Sequence, residues 1–289
     1  MRILITGAAG LLGTALLEDA RSRNHEAIGL GKAELDVTDG SQVSGAVTRH
    51  APDAIVHCAA YTAVDRAETE RALAMAVNRD GAHNVARAAA ACGAAMVLIS
   101  TDYVFDGSSR RPYQPNDPPR PLSVYGQSKL AGERAVAEVG GSWTVVRTSW
   151  LYGRAAGFVP AILRRAARGE ALRVVNDQRG RPTWAQDASG AVLDLVERGA
   201  RGLWHVAGGG DCTWFELARE AVRLARYDVP VEAVSTSDYG APAGRPAYAV
   251  LDIEATERLL DRPMRDWRDA LRCYLRQEWA GQGASTATA

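Results

Sequence analysis

Cysteine is scarce in this sequence, neither sign of charge is in excess, and no long apolar run is present. The cysteines lie far apart and form no CxxC pair, which disfavours a disulfide framework or a zinc knuckle and fits a reducing compartment; they are Cys58, Cys92, Cys212 and Cys273. The 289 residues include 34 basic and 34 acidic ones, so the net charge is zero. The chain therefore has no overall positive charge that would attract nucleic acid or an anionic membrane. No apolar stretch approaches the roughly 20 residues of a membrane helix, and the opening ILITG is too short for a signal sequence. We expect a cytoplasmic protein with no nucleic-acid or membrane partner.

Short apolar segments alternate with helical patterns over the first 150 residues. The pattern predicts strands at 2–6, 25–30, 53–59, 94–100 and 143–149, and helices from the first glycine turn to Arg23 and at 41–50, 66–91 and 128–139. Because each strand is almost continuously apolar, the sheet should be parallel and covered on both faces. We therefore predict an α/β protein with a Rossmann-like doubly wound parallel sheet.

The pattern loosens after Trp150. Helices are expected at 157–168, 185–198, 213–226 and 253–260, and strands at 172–175 and 202–207. Two segments that contain proline and glycine, 176–183 and 239–247, are expected to be loops.

A glycine-rich turn follows the first strand, in the segment TGAAGLLG. Gly7, Gly10 and Gly13 allow a sharp turn and a close approach to a pyrophosphate, whose charge is favoured at the following helix N-terminus. The location between strand and helix predicts dinucleotide binding, with Leu11 and Leu12 beside the cofactor.

The end of the second strand indicates which dinucleotide is bound. An acidic residue there would hold a ribose 2′-hydroxyl, whereas this chain has Gly31 and Lys32, and a lysine attracts a 2′-phosphate. We predict NADPH, with NADH as the alternative. Asp36 is a candidate for the adenine amino group, with Val37 beside it; the alternative for Asp36 is a cap of the next helix.

The segment VYGQSK places Tyr125 and Lys129 one helical turn apart, on the same face. Thr101 ends the fourth strand, and active sites of such sheets lie at the carboxyl ends of the strands. A ketone that accepts a hydride needs a proton, and a tyrosine can supply it if a neighbouring ammonium lowers its pKa. We predict that Thr101, Tyr125 and Lys129 are catalytic, with the threonine hydroxyl polarising the carbonyl.

The chain resembles the extended short-chain dehydrogenase/reductases, and among them the dTDP-4-dehydrorhamnose reductase family. The matching segments run in the family's order from residue 3 to about 219; they are ILITGAAGLLG, LDVTD, PDAIVHCAAYTAVDRAE, VN at 77–78, STDYVFDG, PLSVYGQSKLAGE, VVRTSWLYG, NDQRGRPT and GLWHVAGGGDCTWFELA. The resemblance implies an NADPH-dependent reduction of a dTDP-linked 4-keto-6-deoxy sugar, most closely dTDP-4-dehydro-L-rhamnose to dTDP-L-rhamnose.

The resemblance also implies roles for further residues. Those beside the cofactor would be Ala59, Ala60, Tyr61, Asn78 and Ser100, in addition to Tyr125 and Lys129. Those around the sugar would be Thr101, Asp102, Tyr103 and Trp150. Arg181 and Arg245 lie in loops where a guanidinium would clamp the diphosphate, with solvated loop arginines as the alternative. Trp184 or Trp214 would stack on thymine, although a core position is favoured for both.

The resemblance predicts two domains. Residues 1–150, with about 184–206 and 248–252, would form the NADPH-binding Rossmann domain. A smaller α/β domain for the nucleotide sugar would comprise 151–183, 207–247 and 253–280, followed by a flexible tail at 281–289. The sequence leaves the oligomeric state open, with a homodimer as one candidate. Some family members need a divalent metal, but the sequence shows no carboxylate cluster with ligand spacing, so no metal ligand is assigned and a Mg²⁺ requirement stays open.

Departures from the family pattern leave the sugar open. His57 and Gly157 each stand where the family usually has asparagine. Arg181 occupies a position that is usually a small residue, and the segment 245–252 lacks the Asn-Ser-Arg usual in the family. A reductase for another nucleotide deoxysugar is therefore an alternative. An epimerase or dehydratase is another, although dehydratases carry an acid pair where this chain has Asp102 and Tyr103. The last alternative is a regulatory subunit that binds a dinucleotide without catalysing a reaction.

Overall fold

The computed structural model describes residues 1–154 and 156–279. Strands form in the segments rich in leucine and β-branched residues, and these segments alternate with helices. Within the described residues the strands are β1 Arg2–Thr6, β2 Glu26–Leu30, β3 Ala54–His57, β4 Ala95–Thr101, β5 Trp143–Thr148, β6 Leu151–Tyr152, β7 Leu172–Val175, β8 Arg179–Gly180, β9 Thr183–Trp184, β10 Gly202–His205, β11 Cys212–Thr213 and β12 Val231–Val234.

The α-helices of the same residues are α1 Leu11–Ser22, α2 Gly40–His50, α3 Val64–Ala67, α4 Arg71–Met75, α5 Gly81–Cys92, α6 Val124–Val139, α7 Phe158–Ala167, α8 Ala185–Glu197, α9 Trp214–Leu224, α10 Thr236–Tyr239, α11 Glu254–Leu260 and α12 Trp267–Tyr274. A 3-10 turn, Asp102–Val104, follows β4. Two π-helical segments, Ala76–Asp80 and Leu275–Trp279, continue α4 and α12.

A six-stranded sheet, entirely parallel, organises the molecule in the order β2-β1-β3-β4-β5-β10. Chain direction across the sheet reverses between β1 and β3, since β2 lies on one side of β1 and all later strands lie on the other. Loops that leave the carboxyl ends of β1 and β3 therefore diverge and open a crevice, which is where such sheets bind ligands.

Each face of the sheet is covered by helices because successive strand residues point to opposite sides. Ile3 and Ile5 pack into a core with α1 and α8, whereas Leu4 packs into a second core with α2 and α5, and all three residues are fully buried. The predicted α/β Rossmann-like, doubly wound parallel sheet is confirmed.

The chain after Trp150 both completes this sheet and builds its own smaller cores. Strand β10 pairs with β5, and α8 packs against α1. Helices α7, α9 and α12 instead bury side chains in two separate clusters, beside a parallel pair formed by β7 and β12. The predicted tail, 281–289, lies outside the described residues.

The helical stretch predicted around 66–91 is confirmed from Arg71 onward, where α4, the π-helical segment Ala76–Asp80 and α5 follow one another without a break to Cys92. The short helix α3, Val64–Ala67, is separate from it. Local periodicity does not reveal the extra residue of a π-bulge, because tertiary contacts impose it. Here Asn78 turns inward to bond the backbone of Tyr61, which lies after β3.

Several elements were missed by the sequence prediction. The loop predicted at 176–183 contains β8 and the start of β9, and β12 and α12 were not predicted. The two-residue strands are made by pairing between distant segments, such as Cys212 with Gly180. Such pairing leaves no local pattern.

Candidate active site

A cavity of about 1010 Å³ lies at the carboxyl ends of the central strands. Its walls come from the turn after β1, the ends of β3 and β4, the start of α6 and the segment after β5. A cavity of this size and position is typical of a site for a cofactor and a substrate together.

The glycine turn forms one end of this cavity. Gly7 has φ +66°, and a Cβ there would come 2.5 Å from the backbone N of Ala59. Gly10 occupies the N-cap of α1, and a Cβ on Gly13 would overlap the carbonyl of Gly7. Only glycines permit this close packing of turn, helix and β3. The cradle that results, with the free N–H groups of α1, fits a pyrophosphate.

The predicted adenosine end also lines the cavity, through Gly31, Lys32, Asp36 and Val37. The Asp36 carboxylate accepts hydrogen bonds from the Thr38 hydroxyl at 2.7 Å and the Thr38 N–H at 2.9 Å. These bonds lower the pKa of Asp36. The alternative role of Asp36 as the cap of α2 is wrong, because Asp39 caps that helix.

Two of the residues expected beside the cofactor are alanines on the cavity wall, Ala59 and Ala60, and the next is Tyr61. Asn78 is buried behind them and does not line the cavity; its amide bonds the Tyr61 N–H at 2.8 Å and the Tyr61 carbonyl at 3.0 Å. The Asn78 amide also donates to the Ser128 hydroxyl at 2.8 Å. Asn78 therefore fixes the loop after β3 against α6.

Thr101, Tyr125 and Lys129 meet on one wall of the cavity. Thr101 ends β4, and the other two lie in the first turns of α6, which begins after its N-cap, Ser123. Between them, Gly126 allows contact with the 3-10 turn, since a Cβ there would overlap the carbonyl of Tyr103. The glycine in VYGQSK thus lets α6 approach the end of β4.

The expected lowering of the Tyr125 pKa by Lys129 is not what the structure shows. Burial raises the pKa of Tyr125, and its hydrogen bond with Thr101 opposes that rise only in part. The Lys129 ammonium instead donates to the carbonyl of Ile99 at 2.7 Å. Burial is the stronger effect, so the phenol stays protonated across the neutral range.

Lys129 is itself almost fully buried, at 4% exposure. Burial lowers its pKa to about 8, although the charge of Glu133 opposes this shift. His57, which replaces the asparagine usual in the family, lies near Lys129. Burial lowers the pKa of His57 to about 3, and the charge of Lys129 lowers it further in the same direction. The imidazole is therefore neutral, and its Nδ1 is hydrogen bonded to the Thr6 hydroxyl at 2.7 Å.

Behind Lys129 lies a buried polar cluster. Glu133 accepts from the Arg147 guanidinium at 2.6 and 2.9 Å, and Ser100 donates to the same carboxylate. Arg147 also donates to the carbonyl of Pro115 at 3.0 Å. Ser100 thus lines the cavity while its hydroxyl points to Glu133.

The residues expected around the sugar, Thr101, Asp102, Tyr103 and Trp150, all line the cavity. Asp102 is 2% exposed, and burial raises its pKa to about 7. Its Oδ1 accepts from Thr101, whereas its Oδ2 is buried without a protein partner among the described residues. The ring of Tyr103 meets that of Tyr125 edge-on, with centroids 5.5 Å apart.

Trp150 and Trp214 form a stacked pair on the cavity wall, with ring centroids 3.4 Å apart and planes 7° apart. The pair needs glycine at its back, because a Cβ on Gly180 would come 2.5 Å from the Trp150 ring. Trp184 is buried in the core, as favoured, whereas Trp214 is half-buried: it packs against two core clusters and also lines the cavity.

Neither predicted arginine clamp lines this cavity. Arg181 donates to the carbonyls of Gly208 and Gly210 and lines a separate, smaller cavity. Arg245 forms a two-pronged ion pair with Asp65 at 2.9 and 3.0 Å and contacts Tyr103. Both guanidiniums are thus engaged by protein groups, which sequence alone does not reveal.

The structure adds cavity residues that were not predicted from the sequence as site residues. They include Cys58, Thr62, Val64, Arg66, Leu73, Thr148, Ser149, Ala156 and Gly157. The signal for Arg66 was available, since it lies in the segment that resembles the family. Gly157, a departure from the family's asparagine, has φ +93°, and a Cβ there would come 2.7 Å from the Leu151 carbonyl.

Residues 1–154 and 156–279 contain no group of three or more His, Cys, Asp or Glu side chains placed to hold a metal ion. None of the helices in these residues combines the length and apolar character required to span a membrane.

Known proteins resemble this chain over nearly its whole length. A dTDP-4-dehydrorhamnose reductase of Streptomyces griseus is 43% identical over 93% of this chain and 91% of its own. A probable dTDP-4,6-dihydroxy-2-methyloxan-3-one 4-ketoreductase of Streptomyces antibioticus is 42% identical over 94% of both chains. The crystal structure of dTDP-4-dehydrorhamnose reductase from Bacillus anthracis in complex with NADP superposes with a TM-score of 0.92, at 40% identity, over 96% of this chain and 99% of the other. Residues 1–279 match the RmlD substrate binding domain family, and the chain belongs to that family.

Proposed function

We propose that the protein uses NADPH to reduce the C4 ketone of a dTDP-linked 4-keto-6-deoxy sugar, and that it converts dTDP-4-dehydro-L-rhamnose to dTDP-L-rhamnose. The observation that carries this proposal is the meeting of Thr101, Tyr125 and Lys129 on one cavity wall, beside a glycine cradle that fits a pyrophosphate. The names of the Streptomyces griseus and Bacillus anthracis relatives describe the same activity.

The residues of the cradle would hold the cofactor. Gly7, Gly10 and Gly13 would hold the pyrophosphate, and Lys32 the 2′-phosphate. Ala59 and Ala60, whose loop is fixed by Asn78, would lie along the dinucleotide. When bound, NADPH supplies the hydride that reduces C4.

Tyr125 is the proposed proton donor. Reduction places negative charge on the carbonyl oxygen, and a phenol within reach can neutralise it. Because burial raises the Tyr125 pKa, the phenol is in its donating state before reaction. Thr101 ends β4 on the same cavity wall as Tyr125, and its hydroxyl would orient the carbonyl.

Lys129 is proposed to stabilise the phenolate that forms. Its position is fixed by the carbonyl of Ile99, in the strand that also carries Thr101. A buried cation acts more strongly on a developing anion than an exposed one, because the surrounding dielectric is lower. Lys129 therefore contributes most after the proton leaves Tyr125.

On the substrate side, Asp102 is proposed to accept a hydrogen bond from a sugar hydroxyl. Its Oδ2 is buried without a protein partner within the described residues, and buried polar atoms are normally satisfied. The stacked pair of Trp150 and Trp214 presents a flat apolar wall suited to a sugar or thymine ring. The diphosphate clamp proposed for Arg181 and Arg245 would require both guanidiniums to leave their present partners.

A second candidate substrate is another nucleotide-linked 4-keto sugar. It is favoured by the 42% identity to the Streptomyces antibioticus relative, which is named for a ketoreductase acting on a different sugar. The choice between the two depends on the substrate side of the cavity.

The proposal is tested by NADPH oxidation against a panel of dTDP-4-keto sugars, with the C4 configuration of each product determined by NMR. We expect the highest kcat/KM with dTDP-4-dehydro-L-rhamnose. Preference for another sugar of the panel would favour the second candidate. Bound NADPH without oxidation by any 4-keto sugar would contradict both, and interconversion of sugars without net NADPH loss would indicate an epimerase.

We further propose that the chain divides into the two domains whose boundaries are given above, one for NADPH and one for the nucleotide sugar. A homodimer and a cytoplasmic location also stay predictions. Sedimentation velocity and imaging of a tagged protein in cells would test them.

A further inference from the structure

The ion pair between Asp65 and Arg245 joins two distant parts of the chain. The guanidinium nitrogens of Arg245 lie 2.9 and 3.0 Å from the two carboxylate oxygens of Asp65. The carboxylate also accepts the Ala243 N–H at 3.2 Å, and Arg245 donates to the Ala243 carbonyl at 3.1 Å. Asp65 belongs to α3, in the proposed NADPH domain, whereas Ala243 and Arg245 belong to the proposed nucleotide-sugar domain. These bonds hold the segment 243–245 against α3.

Helix α3 is in turn packed against the start of α6, the helix that carries Tyr125. Ala67 of α3 and Val124 of α6 belong to one small apolar cluster, and Tyr125 packs against it. Just after α3, the Glu68 carboxylate accepts the Val124 N–H at 2.9 Å. A shift of α3 would therefore displace the first turn of α6.

The segment 243–245 also lies beside this first turn. A Cβ on Gly244 would come 3.3 Å from the Cβ of Leu122, so the two residues are close together. Leu122 directly precedes Ser123, the N-cap of α6. Both elements joined by the ion pair thus contact the start of the helix that carries the proposed proton donor.

Arg245 reaches the same donor through a ring. Burial raises the pKa of Tyr103 to about 12, and the charge of Arg245 opposes that rise, so the guanidinium acts on this phenol. The Tyr103 ring meets the Tyr125 ring edge-on, with centroids 5.5 Å apart. The ion pair therefore supports Tyr125 through α6 and through Tyr103.

We propose that Asp65 and Arg245 are positioning residues, whose ion pair holds the Tyr125 phenol where it can protonate the sugar carbonyl. The proposal rests on the proposed function, since Tyr125 is the donor of that reaction. Neither residue of the pair lines the cavity, so both act through their neighbours. Their side chains are 18% and 44% exposed, for Arg245 and Asp65, so the pair is partly shielded from water and from salt.

The first experiment measures kcat, KM and the NADPH dissociation constant for Asp65→Asn, Arg245→Gln and the double variant. We expect kcat to fall about tenfold in each single variant, because a misplacement of about 1 Å costs up to about 10²-fold. The double variant should fall by about the same factor, since each single change already removes the pair. The KM for the sugar and the Kd for NADPH should change less than about threefold.

A second ion pair supplies the matched control. Arg111 and Asp117 also form a two-pronged pair, at 2.8 and 2.9 Å, and Asp117 likewise accepts a backbone N–H, that of Gln114 at 2.8 Å. Neither lines the cavity that contains Tyr125. Arg111→Gln and Asp117→Asn should therefore leave kcat within about twofold of the wild type.

A second measurement needs no substrate. The chain has nine tyrosines, and with ¹³C at the ring carbon that bears the hydroxyl, the NMR signal missing in Tyr125→Phe belongs to Tyr125. That signal should shift in Asp65→Asn and in Arg245→Gln, and should keep its wild-type frequency in Arg111→Gln. A Tyr125 signal that stays in place in both variants of the pair would overturn the proposal.

The kinetic results can also overturn it. Losses of kcat that multiply in the double variant would mean that the two residues act independently. An unchanged kcat in Arg245→Gln, with the dissociation constant for dTDP raised about tenfold, would mean that the guanidinium clamps the diphosphate instead. A wild type that reduces no 4-keto sugar would contradict the proposed function, whereas the tyrosine signal would still test the ion pair.

Discussion

The carboxylate of Glu133 and the guanidinium of Arg147 form a two-pronged ion pair directly behind Lys129. Their atoms are 2.6 and 2.9 Å apart, and the side chains are 5% and 2% exposed. Glu133 lies one turn after Lys129 on α6, and its charge supports the ammonium in the interior. The wall that carries the proposed catalytic residues thus rests on an ion pair that does not itself line the cavity.

Removal of Arg147 should destabilise the fold strongly. We expect Arg147→Met to lower the free energy of unfolding by about 3–5 kcal/mol, because it leaves the buried Glu133 carboxylate without its cation. Urea denaturation measures this. The double variant Glu133→Gln with Arg147→Met should recover part of the loss, and equal losses in the single and double variants would contradict the paired role.

The pKa of Lys129 can be measured with unusual clarity because the chain has only two lysines, Lys32 and Lys129. With ¹³C-labelled lysine, we expect one side-chain NMR signal to titrate near pH 8, since burial lowers the Lys129 pKa to about 8. That signal should vanish in Lys129→Met. Glu133→Gln should move its midpoint to lower pH, because the opposing charge is gone. Titration of both lysines above pH 10 would contradict the buried position.

Loss of the Tyr125 hydroxyl should remove most turnover and leave cofactor binding nearly intact. For Tyr125→Phe we expect kcat to fall by about 10²–10⁴-fold, the range attributed to general acid catalysis. The NADPH dissociation constant should change less than about threefold, since the glycine cradle is untouched. Tyr113→Phe is a matched control, because this tyrosine is buried and bonds Asp106 away from the cavity. A near-wild-type kcat for Tyr125→Phe would eliminate the proposed donor.

Asp102 should make stability depend on pH. Its pKa is raised from 3.8 to about 7 in the folded protein, so between these values the folded state keeps a proton that the unfolded chain has lost. The free energy of unfolding therefore falls as pH rises through this window. Asp102→Asn should remove that penalty and be more stable than the wild type at pH 8, by up to about 4 kcal/mol, with no such gain at pH 4.

Thermal unfolding of both proteins across this pH range measures the effect of Asp102. A difference in Tm that is constant with pH would mean that Asp102 is not the titrating group. The same variant should raise the KM for the sugar, because a carboxylate acceptor is replaced by an amide.

Lys32 should discriminate between the two dinucleotides. We expect Lys32→Ala to weaken NADPH binding about tenfold and NADH binding less than about twofold, since only NADPH carries the 2′-phosphate. Arg49→Ala, which removes an exposed cation on α2, is the charge-matched control. Equal losses for both cofactors would refute a contact between Lys32 and the phosphate.

Much of the framework was determined by the sequence. A strand such as RILIT carries apolar side chains on both of its faces, so both faces must be covered. A parallel sheet between two layers of helices covers them. The glycine turn, the end of β4 and the Tyr125–Lys129 spacing then follow from local rules, because strand ends and helical turns have fixed geometry. From these features alone, the proposed catalytic residues could be predicted to meet at one edge of the sheet.

Only the tertiary structure decided how these groups are surrounded. Burial raises the pKa of Tyr125, whereas a lowered pKa was expected. Arg181 bonds the carbonyls of Gly208 and Gly210, and Arg245 pairs with Asp65, so neither arginine lies on the cavity wall. The stacking of Trp214 on Trp150 joins segments far apart in sequence. Burial and long-range pairing depend on the whole packing of the chain, whereas strand and helix patterns depend on near neighbours. The sequence therefore predicted which groups react, and only the fold determined the charge states and partners of those groups.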